Sequence, residues 1–267
     1  MNNNPKVSII TPSFNSEKTI EDTIISVLNQ TYNNIEYIIV DGKSTDKTLE
    51  IIKSFEKKFN GRLKFISEKD NGIYDAINKG IKLASGEIIG ILNSDDFYIH
   101  NRVIKKIVHV FINNNSDVVY ADLLMIHPKK KDKVIRKFKA GAGKIKYGWF
   151  PPHPATFIKK DLYDRVGLYR TDLSIASDYE YLIRAFKNAK KIDYLEEYII
   201  KMRLGGISNR NMFYIMKSNF EMYKALKTNG YKFPLLIVFL KLLRKIGQFL
   251  WVIFNINNLN WEVSKTI

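Results

Sequence analysis

The sequence predicts an α/β fold, in which a mainly parallel central sheet is wound between flanking helices. Short apolar runs rich in Ile and Val recur through the first hundred residues, and segments with helical spacing lie between them. The runs are continuous rather than alternating, which is typical of strands covered on both faces. With 267 residues, 45% of them hydrophobic, the chain is long enough to bury a core. This alternation of strand and helix indicates βαβ units.

The N-terminal half is predicted to alternate strands with helices in a regular order. The strands are expected at residues 7–10, 37–40, 63–66 and 88–92, and the helices at 17–29, 47–59 and 73–84. In the first helix, Ile20, Ile24 and Val27 share one face and can therefore pack on the sheet. Gly86 follows the third helix at the place where that helix should end.

Small or acidic polar residues follow each of these strands. The segments are Thr11-Pro12-Ser13-Phe14-Asn15, Asp41-Gly42-Lys43-Ser44-Thr45-Asp46, Glu68-Lys69-Asp70-Asn71-Gly72 and Asn93-Ser94-Asp95-Asp96. Because wound parallel sheets bind ligands at the carboxyl ends of their strands, these segments together favour a ligand site. Thr45 and Asp46 fit equally well as caps of the following helix.

Asp95 and Asp96 directly follow a predicted buried strand. Two adjacent carboxylates are costly there unless they are solvated, cap a helix or are neutralised by a cation. Oxygen ligands suit Mg²⁺ and Mn²⁺, which bind through one or two carboxylates together with substrate phosphates. The alternative is an N-cap pair for a helix that starts near Asn101, several residues further on. We expect a divalent metal, Mn²⁺ or Mg²⁺, as the cofactor.

Composition and missing motifs exclude several classes of protein. Lys and Arg exceed Asp and Glu by 43 to 27, which gives a net charge of +16 and favours anionic partners such as nucleic acid, acidic lipid or phosphorylated small molecules. The absence of Cys excludes disulfide scaffolds and thiol chemistry. The sequence has no P-loop, no dinucleotide-binding glycine motif, no HExxH and no nucleophile elbow. Its N-terminus does not resemble a secretory signal.

The second half of the chain is more basic than the first. A stretch rich in Lys spans residues 129–146, and a Pro151-Pro152-His153 segment precedes a short apolar run at 155–158. A helix is predicted at Ser177–Asn188. The tail beyond Lys201 contains only two acidic residues, Glu221 and Glu262.

Four segments, in this order, resemble family 2 glycosyltransferases, which have the Rossmann-like GT-A fold. They are Val7 to Asn15, Asp41 to Asp46, Asn78-Lys79-Gly80 with the run up to Asp96, and Ser177-Asp178-Tyr179-Glu180-Tyr181. The segments Asp75 to Gly80 and Arg203 to Ser208 are similar to those of bacterial enzymes of capsule, colanic acid and O-antigen assembly. The resemblance runs from residue 7 to about residue 208.

The resemblance implies a role for each matched residue. Thr11, Pro12 and Asp41 would hold the base and ribose of a nucleotide-sugar donor, Asp95 and Asp96 would bind the metal, and Asp178 would be the catalytic base. The further donor-binding residues implied are Phe14, Asn15, Asp70, Gly72, Lys79, Asn93 and Ser94. The implied reaction is an inverting, metal-dependent transfer of a hexosyl or N-acetylhexosaminyl group, with UDP as the expected carrier. The acceptor would be a saccharide or a saccharide linked to polyprenyl diphosphate.

Three positions depart from the family pattern. Asn93 stands where the metal motif usually opens with Asp, and an amide carbonyl can ligate a cation but brings no charge. Gly42 stands where many relatives have a second Asp that reads the base, and Ser177 replaces a common Glu before Asp178.

Two further residues are candidates for contact with the diphosphate or the acceptor. His153 and Arg203 have the right chemistry, since guanidinium binds phosphate through two hydrogen bonds. An ordinary surface or core role fits both residues as well.

The tail is interpreted as a separate helical segment. We expect a glycosyltransferase domain at 1–208, with a nucleotide-binding half at 1–96 and an acceptor half at 97–208, followed by helices at 209–267. Within residues 233–254, Lys241, Arg244, Lys245 and Gln248 form one polar stripe, and three central cations oppose spanning a membrane. The segment is therefore interpreted as a helix lying on an acidic membrane surface, and the protein as cytoplasmic and peripheral. A helix that packs on the body is the alternative.

Other functions remain open on the sequence alone. The net charge and the 129–146 stretch fit a nucleic-acid binder, but few aromatics accompany the lysines and no nucleic-acid motif is present, so we expect no nucleic-acid partner. A non-catalytic GT-A scaffold is the other alternative, although Asp95 and Asp178 are retained. A nucleotidyltransferase would need an early glycine-rich basic loop, which is missing.

Overall fold

The computed structural model describes residues 3–205 and 212–254, with the side chains of the last helix described as far as residue 244. One mixed sheet runs through the whole body, in the order β3-β2-β1-β4-β8-β6-β9-β5, with β7 paired to β6. Its strands are β1 (Val7–Ser13), β2 (Ile35–Asp41), β3 (Leu63–Ser67), β4 (Ile88–Ile91), β5 (Phe97–Tyr98), β6 (Val118–His127), β7 (Lys130–Phe138), β8 (Thr156–Lys159) and β9 (Ile192–Arg203).

Helices cover both faces of this sheet. They are α1 (Ile20–Leu28), α2 (Thr48–Ser54), α3 (Ile73–Leu83), α4 (Val103–Asn114), α5 (Lys160–Val166), α6 (Ser177–Asn188), α7 (Met212–Thr228) and α8 (Pro234–Phe254). Alternate residues of β1 and β2 feed two cores, one under α1, α2 and α4 and the other under α3, α5 and α6. This two-sided burial explains why the strands read as continuous apolar runs. The predicted α/β fold is confirmed.

The sheet is parallel in its first half and mixed in its second. β1, β2, β3 and β4 pair in parallel, as the sequence predicts. β8 then lies antiparallel between β4 and β6, and β6 pairs in parallel with β9. The N-terminal half of the sheet is therefore wholly parallel, and the C-terminal half combines the parallel β6–β9 pair with antiparallel pairs. An apolar run such as 155–158 indicates a buried strand but carries no information on its direction.

The lysine-rich stretch forms the edge of the sheet. β7 pairs antiparallel with β6, and the first four residues of β7 are exposed. Lysines on an edge strand discourage pairing with another chain. The geometry therefore supplies a structural reason for much of this positive charge.

The C-terminal helices pack on the body. Met222 and Leu226 of α7 join Ile237 and Val238 of α8 in a third core cluster against α6. Gly148, at a φ of +72°, allows the close approach of α8, because a Cβ there would lie 2.4 Å from the backbone nitrogen of Lys241. The start of α8 therefore packs on the body of the protein, which is the alternative to a helix lying only on a membrane. The predicted domain boundary at residue 208 lies outside the described residues.

Candidate active site

The carboxyl ends of β1 to β4 meet at one edge of the sheet, as their parallel pairing requires. We call the loops at residues 14–16, 42–46, 68–72 and 93–96 the strand-end edge. Side chains tie these loops together: the hydroxyls of Ser16 and Ser94 lie 2.8 Å apart, and the Asn15 carbonyl oxygen accepts a hydrogen bond of 2.9 Å from the backbone of Thr45. Asn15 and Ser94 therefore join the loops as well as lying at the edge.

Asp41, at the end of β2, is buried, and both of its carboxylate oxygens accept hydrogen bonds. Its oxygens accept hydrogen bonds from the hydroxyls of Ser13, Ser44 and Ser67, and from the Ser44 backbone. Its carboxylate has no exposed side in this arrangement, and contact of Asp41 with the base or ribose stays a prediction. It fastens β1, β3 and the 42–46 loop to one another.

The strand residues of the first motif are buried too. The Thr11 hydroxyl accepts a hydrogen bond of 3.1 Å from Tyr37 inside the sheet, and Pro12 is buried beside it. Contact of Thr11 and Pro12 with the base and ribose stays a prediction. Phe14, the next residue but one, is 62% exposed.

Phe14, Gly42 and Asp70 form one small surface. A Cβ at Gly42 would lie 2.5 Å from the Asp70 carboxylate and 3.4 Å from the Phe14 ring. The other Asp70 oxygen accepts a hydrogen bond of 2.9 Å from the backbone of Gly72, which has a φ of +110° that favours glycine. The missing side chain at position 42 thus leaves room for the carboxylate of Asp70.

Lys79 is committed to neighbours on α3 and the loop before it. Its ammonium pairs with Glu68 at 2.9 Å and Asp75 at 3.6 Å, and donates to the carbonyl of Lys69. The hydrogen bond to Glu68 raises the pKa of Lys79. In this arrangement Lys79 stabilises the 68–72 loop.

The turn at residues 93–96 carries two adjacent carboxylates, Asp95 and Asp96, which differ in exposure. Asp96 is 1% exposed, and its Oδ2 accepts a hydrogen bond of 3.1 Å from the Asn93 amide. Its Oδ1 has no hydrogen-bond partner within the described part of the chain. Burial, and then the neighbouring charge of Asp95, raise the pKa of Asp96 well above its ordinary value. The unpartnered Oδ1 of this buried carboxylate is compatible with a cation beside it, and metal ligation by Asp96 stays a prediction.

Asp95 is the metal-motif carboxylate that remains partly exposed. Burial raises its pKa as well. A divalent cation beside it would remove the cost of this desolvated charge, and one carboxylate with substrate phosphates is a common Mg²⁺ arrangement. Since the Asn93 amide nitrogen is used by Asp96, its carbonyl oxygen is the group left for a cation. The donor set therefore fits a divalent metal.

Arg203 braces the same turn from the end of β9. It is 6% exposed, and its guanidinium donates to the backbone carbonyl of Asp95 at 2.5 Å and pairs with Asp22 of α1. It also lies over the Phe97 ring. These partners hold the guanidinium inside the protein, and its contact with a diphosphate or acceptor stays a prediction. The motif that continues through Gly206, Ile207 and Ser208 lies outside the described residues.

Asp178 lies in the first turn of α6, near His153 and Tyr74. Its Oδ1 accepts hydrogen bonds from the backbone of Tyr179 at 2.8 Å and from the Tyr74 hydroxyl at 3.3 Å. Burial raises the pKa of Asp178, and the charge of His153 opposes this rise. Burial lowers the pKa of His153, whose Nε2 lies 2.8 Å from the Tyr169 hydroxyl. The structure thus brings His153 and Asp178 together.

The loop before Asp178 is held by two residues that the sequence did not single out as functional. Glu221 of α7 accepts hydrogen bonds from the backbone amides of residues 174, 175 and 176 and from the Ser174 hydroxyl. The Tyr74 hydroxyl lies 2.7 Å from the Ile175 carbonyl. The one sequence signal was that Glu221 is an isolated acid in a basic tail. No local signal marks Tyr74.

Tyr74 also connects the two parts of the site. It is the second residue of α3, just after the Asp70–Gly72 turn, and its hydroxyl reaches Asp178. The desolvated carboxylate of α6 is therefore linked through Tyr74 to the start of α3, which follows the 68–72 loop of the strand-end edge.

Comparison with known proteins identifies the family. Residues 8–169 match the model of "Glycosyl transferase family 2". The chain belongs to glycosyl transferase family 2. This family 2 glycosyltransferase is 28% identical over 213 residues to a PGL/p-HBAD biosynthesis glycosyltransferase of Mycobacterium bovis, with 77% of this chain and 80% of the relative covered. It is 30% identical to an uncharacterized glycosyltransferase of Methanocaldococcus jannaschii, with 84% and 79% covered.

Solved structures share its GT-A fold. S. aureus TarS in complex with UDP-GlcNAc superposes with a TM-score of 0.67 at 21% identity, covering 84% of this chain and 65% of that one. A longer TarS chain is covered over only 45% of its length. The mannosyltransferase PcManGT of Pyrobaculum calidifontis, in complex with GDP-Man and Mn²⁺, superposes with a TM-score of 0.65 at 17% identity, covering 87% and 68%. The predicted family and fold are confirmed.

Proposed function

We propose that this glycosyltransferase moves a hexosyl or N-acetylhexosaminyl group from a UDP-sugar to an acceptor hydroxyl with inversion at the anomeric carbon. The observation that carries the proposal is the Asp178 carboxylate, desolvated in the first turn of α6 and linked through Tyr74 to the strand-end edge. A saccharide, free or linked to polyprenyl diphosphate, is the proposed acceptor.

The donor base is proposed to bind on the surface of Phe14, Gly42 and Asp70. The exposed Phe14 ring offers a face for stacking, and the partly exposed Asp70 carboxylate can accept a hydrogen bond from a base N–H. Uracil has such an N–H group. TarS, which shares the fold, is solved with UDP and with UDP-GlcNAc, and this supports UDP as the carrier.

Asp95, with the Asn93 carbonyl, is proposed to hold Mn²⁺ or Mg²⁺. The ion would neutralise the diphosphate as it leaves. Arg203 and Asp22 hold the Asp95 turn in place, since Arg203 donates to the Asp95 backbone. The Mn²⁺ bound to PcManGT supports a divalent ion in this fold.

Asp178 is proposed to act as the general base. It would take the proton of the acceptor hydroxyl while that oxygen forms its bond to the anomeric carbon and the bond to the UDP oxygen breaks. A positioned base of this kind contributes roughly 10²–10⁴ in rate. A raised pKa helps it to accept the proton, and no second nucleophile is needed for a single displacement.

Thermal unfolding with nucleotides tests this function. We expect UDP with Mn²⁺ to raise the Tm more than GDP or dTDP does, and Asp95→Ala to remove the metal-dependent part. A ligand at 100 times its Kd stabilises by about 2.7 kcal/mol. For a chain of this size that is roughly 5–10 °C.

The matched control is Asp132→Ala, which removes an exposed carboxylate from the β6–β7 hairpin and should keep the full shift. A larger shift with GDP would change the donor class. Absence of a shift with every nucleotide would favour a non-catalytic GT-A scaffold and contradict the proposal.

A further inference from the structure

One side of α7 presents large apolar side chains to solvent. Phe213 is 67% exposed, and three further residues at helical spacing are exposed with it: Met212, Met216 and Phe220. The opposite side of the same helix is buried through Ser218, Met222 and Leu226. An exposed apolar stripe of this size on a helix that already has a buried face indicates a second binding surface.

α8 has the same two-sided character. Leu235 is 71% exposed, and Leu236, Phe239 and Leu243 are exposed on the same side. Ile237 and Val238 on the other side enter the core cluster that also contains Met222 and Leu226 of α7. Since both helices bury their inner faces in one cluster, their apolar outer faces lie on the outside of one layer.

We call Met212, Phe213, Met216, Phe220, Leu235, Leu236, Phe239 and Leu243 the α7–α8 face. Its orientation corrects the sequence expectation for the polar stripe of α8. The Lys241 ammonium lies 4.0 Å from the centre of the Tyr179 ring, and Arg244 donates to the Tyr147 carbonyl at 3.1 Å. These two cations contact the body instead of lying in headgroups. The side chains of Lys245 and Gln248 lie outside the described part of the helix.

The exposed charges that α7 and α8 themselves carry are positive; the nearby acid Asp172, which interacts with Lys224, is already paired with Arg170. Lys217, Lys224 and Lys227 are exposed on the outer side of α7. The only acid of α7, Glu221, is buried against residues 174–176, and the sequence of α8 contains no Asp or Glu. A second copy of this chain would bring like charges together across such a surface. An anionic surface with an apolar interior matches both the lysines and the apolar side chains.

We propose that the α7–α8 face docks on the surface of a bilayer containing anionic lipids, with both helices lying along the membrane plane. Within the described residues, neither helix is long and apolar enough to cross a membrane. Lys241 of α8 contacts Tyr179, the residue that follows Asp178. Only α8 would then lie between this part of the candidate active site and the membrane. Docking would hold the site about one helix diameter, on the order of 10 Å, from the bilayer. This proposal does not depend on sugar transfer by the site.

Vesicle co-sedimentation of the full chain tests the proposal. The vesicles are phosphatidylcholine alone or phosphatidylcholine with phosphatidylglycerol. We expect binding to the anionic vesicles, and a loss of roughly tenfold or more in partition coefficient for Phe220→Glu and for Phe239→Glu. The matched control is Leu83→Glu, at an exposed apolar position on α3, which should bind as the wild type does.

Two triple variants measure how much the lysines contribute to vesicle binding. Replacing Lys217, Lys224 and Lys227 by Gln should weaken binding to anionic vesicles by roughly fivefold per residue, since each lysine near the lipid adds about that factor. Replacing Lys129, Lys130 and Lys133 by Gln removes the same charge from the exposed hairpin and should change binding little.

Two outcomes would overturn the proposal. One is a failure of the vesicle assay: either the wild-type chain sediments with neither vesicle, or the Phe220→Glu and Phe239→Glu variants sediment as well as the wild type. The other is a chain that forms dimers by analytical ultracentrifugation, which those two substitutions dissociate, without vesicle binding. Both readouts are free of nucleotide and acceptor, so failure of the proposed sugar transfer would leave them unchanged.

Discussion

Asp178 is the residue on whose protonation state the proposed chemistry depends. Its carboxyl is partly exposed yet desolvated, and it accepts hydrogen bonds from Tyr74 and from the backbone of Tyr179. Burial raises its pKa above the ordinary value. Because only the ionised form can take a proton, activity should fall as the pH drops through this raised pKa, above the usual aspartate range.

Asp178→Asn should lower kcat by about 10²–10⁴ while leaving the Kd for UDP unchanged. His153→Gln should move the acid limb of the pH–rate profile to higher pH, because the positive charge of His153 lowers the pKa of Asp178. The measurement is the rate of UDP release with acceptor across pH. An acid limb in the ordinary aspartate range, or an Asp178→Asn variant of full activity, would contradict the assignment of the base.

The sequence identifies residue types at the site better than it identifies their orientation. Asp41, Asp96 and Arg203 all carry chemistry suited to a nucleotide or metal, and the structure buries all three. Whether a polar side chain points to the edge or inward depends on partners distant in the sequence, such as Ser67 for Asp41 and Asp22 for Arg203. Those partners become visible only once the sheet is assembled.

At the scale of elements, α7 acts on the site through one buried side chain. Glu221 accepts hydrogen bonds from the backbone of residues 174–176, the loop that leads into α6. Surrounding donors lower the pKa of Glu221 in spite of its burial, so the ionised form is the one that holds the loop. A glutamine at 221 would keep the shape but lose one acceptor oxygen and the charge.

Glu221→Gln should therefore lower kcat while the Kd for UDP stays unchanged, because the loop positions Asp178 and not the base-binding surface. Loss of hydrogen bonds to a buried charge should also cost about 1–3 kcal/mol in the free energy of unfolding. Glu50→Gln on the exposed side of α2 is the matched control. A uniform loss of donor binding and turnover would indicate a general structural defect and contradict a positioning role.

Elements with continuous apolar or amphipathic patterns were predicted well. β1 to β4 and α3 lie where the runs place them, and α6 covers the predicted residues. The direction of β8 could not be predicted, because it depends on which strand it meets after the long excursion through β6 and β7. The orientation of α8 was predicted from its cations, which were expected to face lipid headgroups. In the structure, Lys241 and Arg244 contact Tyr179 and Tyr147, which lie on other elements.

At the scale of the whole molecule, the C-terminal helices are part of the body and not an appendage. The cluster that joins α7 and α8 to α6 contains Ala176, two residues before Asp178, and Ile183 further along the same helix. Packing of the tail is therefore continuous with the support of the candidate base. The family model ends at residue 169, so this support lies beyond the matched part of the chain.

The two faces of α8 give a matched pair of substitutions for this packing. Ile237 is 3% exposed in the shared cluster, whereas Leu235, two residues earlier, faces solvent. Ile237→Ala should lower the free energy of unfolding by about 2–5 kcal/mol, as for other large-to-small core changes. Leu235→Ala should change it by no more than about 0.5 kcal/mol. Urea unfolding followed by tryptophan fluorescence measures both, and Trp149, buried against Tyr120 and Ala140, reports on the fold. Equal effects of the two substitutions would mean that α8 does not pack through Ile237, and the orientation of the α7–α8 face would then have to be reversed.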